Sequence, residues 1–362
     1  MTVPDPVHVV VPGDIDDPAR PSGGNAYDRR ICLGLPAAGR PVRELAAPGP
    51  WPYPDAAARA DLDRLLAAVP AGSDVLLDGL VACAAPDVLA PHAGRLRLVV
   101  LVHLPLGDEA GLAPETAAEL AARERAALHA AFAVVATSPW AARRLAEVHD
   151  LAGVHVVTPG VEPAPLAPGG DGSALLCVGS VTPTKGQDLL VEALAEVADL
   201  AWTCLLVGPL VRDPGHVAAV RALLERRGLA ERVRLTGPRT GPDLHAAYAA
   251  ADLLVVPSRR ESYGMVVTEA LARGVPVLAA AVDGVPETVG CASDGRVPGL
   301  LVPPGDVAAL GVALRRWLGD PDLRETTRSA ARERRADLDG WEVTARCLTQ
   351  VLAGTAQPGT PG

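Results

Sequence analysis

The chain has 362 residues, 33 basic and 43 acidic, for a net charge of −10. At roughly 100–200 residues per domain this predicts two domains, each large enough to bury a core without a disulfide or metal staple. The acidic balance argues against a protein that coats nucleic acid or an anionic membrane.

The predicted elements alternate from the start. Residues 7–12 (VHVVVP) are apolar throughout and read as a strand, and helical periodicity runs over 25–35. Further strands are predicted at 75–78, 96–103, 133–137 and 154–158, with Ala-rich helices at 114–131 and 139–148. Strands without polar alternation, separated by helices, indicate parallel sheets covered on both faces. Residues 160–173 (GVEPAPLAPGGDGS) are rich in proline and glycine and read as a linker. The alternation then restarts, with strands at 174–179, 203–208, 233–237, 253–257, 275–280 and 300–302. Helices are predicted at 187–197, 216–227, 307–318, 321–336 and 341–352. The resulting division is a Rossmann-like domain over 1–162, a second over 173–338, a final helix over 339–354 and a disordered tail over 355–362.

No apolar run approaches the ~18 residues of a membrane span. The first residues lack the basic stretch and apolar core of a secretory signal. Six cysteines form no C-x-x-C pair, the pattern of free thiols in a reducing compartment, so a cytoplasmic protein is expected. The basic residues are 32 arginines and one lysine, Lys185.

The densest segment is 257–278, PSRRESYGMVVTEALARGVPVL. A strand ends, a polar loop follows, and Gly264, Met265 and Val266 open a helix whose first N–H groups suit a diphosphate. Glu261 lies in the loop and Glu269 about one and a half turns into the helix, so the two carboxylates have different tasks. Either can accept hydrogen bonds from paired sugar or ribose hydroxyls. This stretch resembles the E-x7-E signature of the family 4 retaining glycosyltransferases, which have the GT-B fold. The likeness continues through EALARG and on to Asp283-Gly284-Val285-Pro286-Glu287. It implies two Rossmann-like parallel-sheet domains facing across a cleft.

In LLCVGSVTPTKGQDLLVEAL a strand ends, a loop follows, and Lys185-Gly186 precedes a helix. This resembles the family's G-R-x4-K-G element, with Ser180 where the arginine usually stands. Pro21–Tyr27 resembles the family's N-terminal Gly-Gly loop, so Gly23, Gly24 and Asn25 are expected near the donor phosphates. Paired glycines also permit positive φ and close backbone approach. The absence of G-x-G-x-x-G counts against a nicotinamide or flavin. His103, at the end of its strand, corresponds to a family histidine near the donor sugar. The Asp14-Ile15-Asp16 triplet reads as loop charge, and Trp51–Tyr53 as a rigid aromatic loop.

The resemblance implies transfer of a sugar from a UDP- or GDP-sugar to a hydroxyl of a small acceptor, with retention and without a metal or other cofactor. Glu269 would bind the ribose; Lys185, Ser180 and the 264–266 N–H groups the diphosphate; Glu261 the transferred sugar. The leaving phosphate would accept the acceptor's proton. The alternatives are a glycolipid head-group transferase and a GT-B sugar-nucleotide epimerase. The 13 basic and 19 acidic residues through Thr158 disfavour a membrane-bound acceptor.

Overall fold

The computed structural model describes residues 5–355. Residues 356–362, most of the expected disordered tail, lie outside the described residues. The described residues divide into two compact units, one comprising 5–17, 23–160 and 339–355 and the other 18–22 and 161–338.

The first unit contains β1 (Val7–Pro12), α1 (Gly23–Ala37), β2 (Val42–Ala47), α2 (Ala56–Ala67), β3 (Asp74–Asp78), α3 (Gly79–Ala82) and α4 (Pro86–Leu89). It continues with β4 (Arg97–Val102), α5 (Pro114–Ala130), β5 (Ala133–Ala136), α6 (Pro139–His149) and β6 (His155–Val156). The second unit runs β7 (Ala174–Val178), α7 (Gln187–Ala195), β8 (Thr203–Val207), α8 (Pro214–Arg226), β9 (Val233–Gly237), α9 (Gly241–Ala249) and β10 (Leu253–Val256). It ends with α10 (Met265–Leu271), β11 (Val277–Ala280), α11 (Val285–Val289), β12 (Gly299–Val302), α12 (Val307–Gly319) and α13 (Pro321–Arg334). The last helix, α14 (Trp341–Leu352), belongs to the first unit.

Each unit is a six-stranded, wholly parallel sheet, as the unalternating apolar strands require. The strand orders are β2-β1-β3-β4-β5-β6 and β12-β11-β10-β7-β8-β9. Both are Rossmann-like, and each has one place where the strand order reverses: β1/β3 in the first sheet and β7/β10 in the second. Loops leaving the carboxyl ends there diverge to opposite faces and open a crevice. That topology sets where side chains from distant parts of the chain can meet.

Four elements of the first unit were not predicted: β2, α2 and the four-residue helices α3 and α4. Edge strand β2 (VRELAA) is mostly exposed, so it lacks the continuous apolar signature of β1 beside it. Helix α2 is capped by Asp55, whose carboxylate accepts from the Ala58 N–H, and it buries only Ala58, Leu62 and Leu66. In the same unit α14 packs on α1. Leu348, Val351 and Leu352 join Tyr27, Ile31 and Leu35 in one core, and the Thr344 hydroxyl donates to the Thr158 carbonyl at 2.9 Å.

Candidate active site

The second unit gathers its polar residues at the β7/β10 reversal. After β7 the chain passes through Gly179 and Ser180 to a single 3-10 turn, Pro183–Lys185, and then to Gly186. The buried Gln187 side chain donates to the Gly179 and Ser180 carbonyls at 3.3 and 3.0 Å, fixing the start of this loop. After β10 comes the 257–264 loop. Arg259 joins the two. Its backbone N–H donates to the Thr184 carbonyl at 2.8 Å, and its guanidinium donates to the Pro183 carbonyl at 2.7 Å. The same guanidinium forms a fork with Asp188 at 2.9 and 2.6 Å. Such a bidentate pair fixes orientation as well as distance.

Lys185 and Glu261 meet as a result. Nζ of Lys185 lies 2.5 Å from Oε2 of Glu261, with the lysine about one-third exposed and the carboxylate 12% exposed. Glu261 is held from behind by Asp283, whose Oδ2 accepts from the Glu261 N–H and from Arg260 Nε, each at 2.9 Å. Gly284 N–H donates to the Glu261 carbonyl at 3.1 Å. Asp283 adopts φ 50°, a left-handed conformation that a short polar side chain tolerates better than most.

Gly186 shows why glycine follows the lysine. Its φ is 68°, and a Cβ there would stand 2.2 Å from the Pro257 carbonyl oxygen. The loops after β7 and β10 therefore touch backbone to backbone. Gly186→Ala is expected to lower stability by about 2–4 kcal/mol through strain and displacement of the β10 loop. Denaturant unfolding measures it, and an unchanged midpoint would remove this constraint.

Gly264, with φ 89°, caps the seven-residue α10 and presents Met265 and Val266 at its start. Glu269 lies further along α10, half-buried, and its Oε2 accepts from the Tyr248 hydroxyl at 2.6 Å. Burial raises the Glu269 carboxyl above its ordinary value, against the opposing pull of the Tyr248 hydrogen bond and the Arg273 charge. Burial and the neighbouring carboxylate push the Tyr248 phenol well up. Arg273 lies 4.9 Å from the centre of the Tyr248 ring.

In the first unit, Gly23 and Gly24 form the first residues of α1, and neither has positive φ. Gly24 serves close approach instead: a Cβ there would lie 3.1 Å from Cδ2 of His103. Asn25 Nδ2 donates to the Ile15 carbonyl at 3.3 Å, tying α1 to the loop before it. His103 follows β4 directly. Its Nε2 lies 2.9 Å from Oδ1 of Asp28 and 3.9 Å from Oδ2 of Asp78. The Tyr27 ring meets the imidazole edge-on at 5.2 Å.

Of the residues singled out in the sequence, Lys185 and Glu261 meet, Glu269 lies on the adjoining helix, and Gly24 abuts His103 in the first unit. Sequence reading did not single out Asp28, Asp78, Arg259, Asp188 or Tyr248, which contact those residues or the loops that carry them. Asp16 of the D-x-D triplet pairs with Arg29 at 2.7 Å. Among the described residues, only Asp28, Asp78 and His103 form a group whose ligand-type atoms could surround a metal, all within 4.8 Å of one another.

Residues 162–334 match the family model described as glycosyl transferases group 1. The D-inositol 3-phosphate glycosyltransferase of Kineococcus radiotolerans is 35% identical over 273 residues, covering 68% of this chain and 62% of that protein. The chain thus spans less than two thirds of that relative's length. D-inositol 3-phosphate glycosyltransferase 1 of Catenulispora acidiphila is 34% identical over 298 residues, covering 76% of this chain and 68% of that protein. Among solved structures, sucrose-phosphate synthase from Thermosynechococcus elongatus superposes with a TM-score of 0.78 at 24% identity, over 97% of this chain and 99% of the other. The Anabaena HepE protein in complex with UDP and glucose gives 0.71 at 19% identity, over 96% and 99%. The superpositions establish the GT-B fold. The relatives, at over 30% identity and up to 68% of their length, establish the lineage: the chain belongs to the group 1 glycosyltransferases, of the family 4 type.

Proposed function

We propose that the protein transfers a sugar from a nucleoside diphosphate to a hydroxyl of a small acceptor, with retention of anomeric configuration and without a metal. The observation that carries this reading is the meeting of Lys185 and Glu261 at the β7/β10 reversal, with Glu269 on the adjoining helix. A crevice at the carboxyl ends of a reversed parallel sheet is where nucleotides bind in such folds. In the transfer, the bond from the anomeric carbon to the diphosphate oxygen breaks and its electron pair leaves with the phosphate. Lys185 and the Met265 and Val266 N–H groups neutralise that developing charge. Fixed donors of this kind need no reorganisation during the step. The acceptor oxygen forms the new bond, and its proton passes to the departing phosphate. Glu261 orients hydroxyls of the sugar and Glu269 those of the ribose. Ser180 contributes a short donor where the family's arginine would bring a charge.

Uridine is the first base to try, because the HepE protein was solved in complex with UDP. An inositol phosphate is the first acceptor, because the curated relatives are named for D-inositol 3-phosphate. The cytoplasm fits six free thiols, four of them buried. No described helix is long and apolar enough to cross a membrane.

Thermal unfolding with UDP, GDP and other nucleoside diphosphates tests the donor. At about 100 times its dissociation constant the correct nucleotide adds roughly 2.7 kcal/mol of stability. Transfer followed by proton NMR then reports the anomer, and added EDTA is expected to leave the rate unchanged. No stabilisation by any nucleotide would overturn the donor site. An inverted product or a chelator-sensitive rate would overturn the chemistry.

A further inference from the structure

A cleft of about 490 Å³ lies in the first unit between edge strand β2 and helix α2. Its position follows from the sheet. His8 is the second residue of β1 and Arg43 the second of β2, and the two are register partners, as are Val10 and Leu45. Side chains alternate along a strand, so His8, Val10, Arg43 and Leu45 share one face. On that face Val10 joins Leu62 and Leu66 of α2 in the core, and Leu45 packs against them. His8 and Arg43 stand two residues nearer the amino edge of the sheet. The crevice opened by a reversal of strand order lies at the carboxyl edge. The volume falls within the ~300–1,000 Å³ of small-molecule sites.

The walls of the cleft are of two kinds. Leu45, Leu65 and Val69 supply aliphatic surface, and no Phe, Tyr or Trp lines it. Arg43, Arg64, Asp61 and His8 supply the polar part. Arg64 is engaged by Asp61. The Arg43 side chain is exposed and enters no ion pair among the described residues. His8 is 3% exposed, and its Nδ1 has no hydrogen-bond partner among the described residues. Buried polar atoms are normally satisfied, so an orphan nitrogen in the wall of a cleft points to an occupant. Burial and the Arg43 charge lower His8, with the Asp74 backbone opposing, so the ring is neutral near pH 7 and Nδ1 can carry hydrogen.

The balance of charge narrows the occupant. One unpaired guanidinium matches one carboxylate, which it can hold through two parallel N–H donors. A phosphate dianion would bring a second negative charge close to Asp61 with no unpaired cation left to meet it. A wholly apolar molecule would leave Nδ1 unsatisfied. We propose that this cleft is a binding site for an aliphatic carboxylate, with the head group on Arg43 and His8 Nδ1 and the chain along Leu45, Leu65 and Val69. All of these residues belong to the first unit, and the site does not depend on the meeting of Lys185 and Glu261.

Octanoate is the probe, titrated into the nitrogen-15-labelled full chain and followed by amide NMR. Saturable shifts are expected in β2 and in residues 64–69. Acetate lacks the chain and 1-octanol lacks the charge, so each should bind at least about tenfold more weakly than octanoate. Arg43→Ala should weaken octanoate by about tenfold, the loss of a hydrogen bond to a charged group. Arg43 is exposed and unpaired, so this variant keeps the fold. Asp61→Asn releases Arg64 and should tighten octanoate by about threefold, the scale of a surface ion pair. His8→Phe keeps a ring in place and removes the orphan nitrogen, so octanoate should weaken while the unfolding midpoint is retained or raised. No saturable shift at millimolar octanoate would overturn the proposal, as would shifts confined to other elements. Equal affinity for acetate or 1-octanol, undiminished affinity in Arg43→Ala, or weaker binding in Asp61→Asn would overturn it as well. Unchanged affinity in a folded His8→Phe would overturn the placement of the head group.

Discussion

Lys185→Ala is expected to lower kcat by about 10²–10³, corresponding to roughly 2.7–4 kcal/mol of transition-state stabilisation. The lysine is the only full positive charge that the loop after β7 brings to Glu261. Arg259 and Arg260, the nearest guanidiniums along the chain, are committed to Asp188 and Asp283. Ser180 supplies no charge where a second cation would stand in the family. The loss therefore has no neighbour to absorb it. Removal of Lys185 also leaves the Glu261 carboxylate, only 12% exposed, without its 2.5 Å partner. In the double variant Lys185→Ala/Glu261→Gln the structural part of the defect should be relieved and the catalytic part should remain. Steady-state kinetics of both variants, with unfolding midpoints as control, separates the two. A single variant within threefold of the parent kcat would remove Lys185 from the reaction.

The second large effect is on donor affinity. Glu269→Ala is expected to weaken binding of the nucleotide sugar by about 10- to 100-fold, the range for losing a hydrogen bond to a charged group. The Tyr248 hydroxyl occupies one oxygen at 2.6 Å, which orients the carboxylate. Tyr248→Phe should give a smaller loss, since it removes the orientation and keeps the charge. The pH dependence has a definite sign. Burial raises the Glu269 carboxyl, so its ionised form is lost at a higher pH than for an exposed glutamate. Donor affinity should then fall as pH drops toward and through that raised value, and Glu269→Gln should flatten the fall. Calorimetric titration with the nucleoside diphosphate at several pH values checks this. Equal affinity in parent and Glu269→Ala would place the ribose elsewhere.

Some of the site was legible in the sequence because its residues are close along the chain. Glu261 and Glu269 share one strand–loop–helix unit, and Lys185 stands in another. Local rules of strand ending and helix start are enough to put such residues at a carboxyl edge. Strand β2 was not legible, because an edge strand exposes most of its residues and carries no continuous apolar run. The paired glycines were legible as a candidate for close approach. That Gly24 approaches the His103 ring, with ordinary φ, was not.

Asp28, Asp78 and His103 are fifty and twenty-five residues apart, with no spacing that links them. Each alone is an unremarkable polar residue at the start of a helix or the end of a strand. They meet because β1, β3 and β4 lie side by side in the sheet, and that order depends on pairing between segments distant in sequence. Arg259 and Asp188 are in the same position, joined only because β7 and β10 are neighbours. The sequence by itself determined the two parallel α/β units, the lone lysine at a strand-to-helix turn and the E-x7-E helix, because periodicity and local backbone geometry are encoded residue by residue. Only the tertiary structure decided which carboxylates face the lysine and the histidine, because burial and proximity, which set charge state and orientation, arise from strand order rather than from neighbours along the chain.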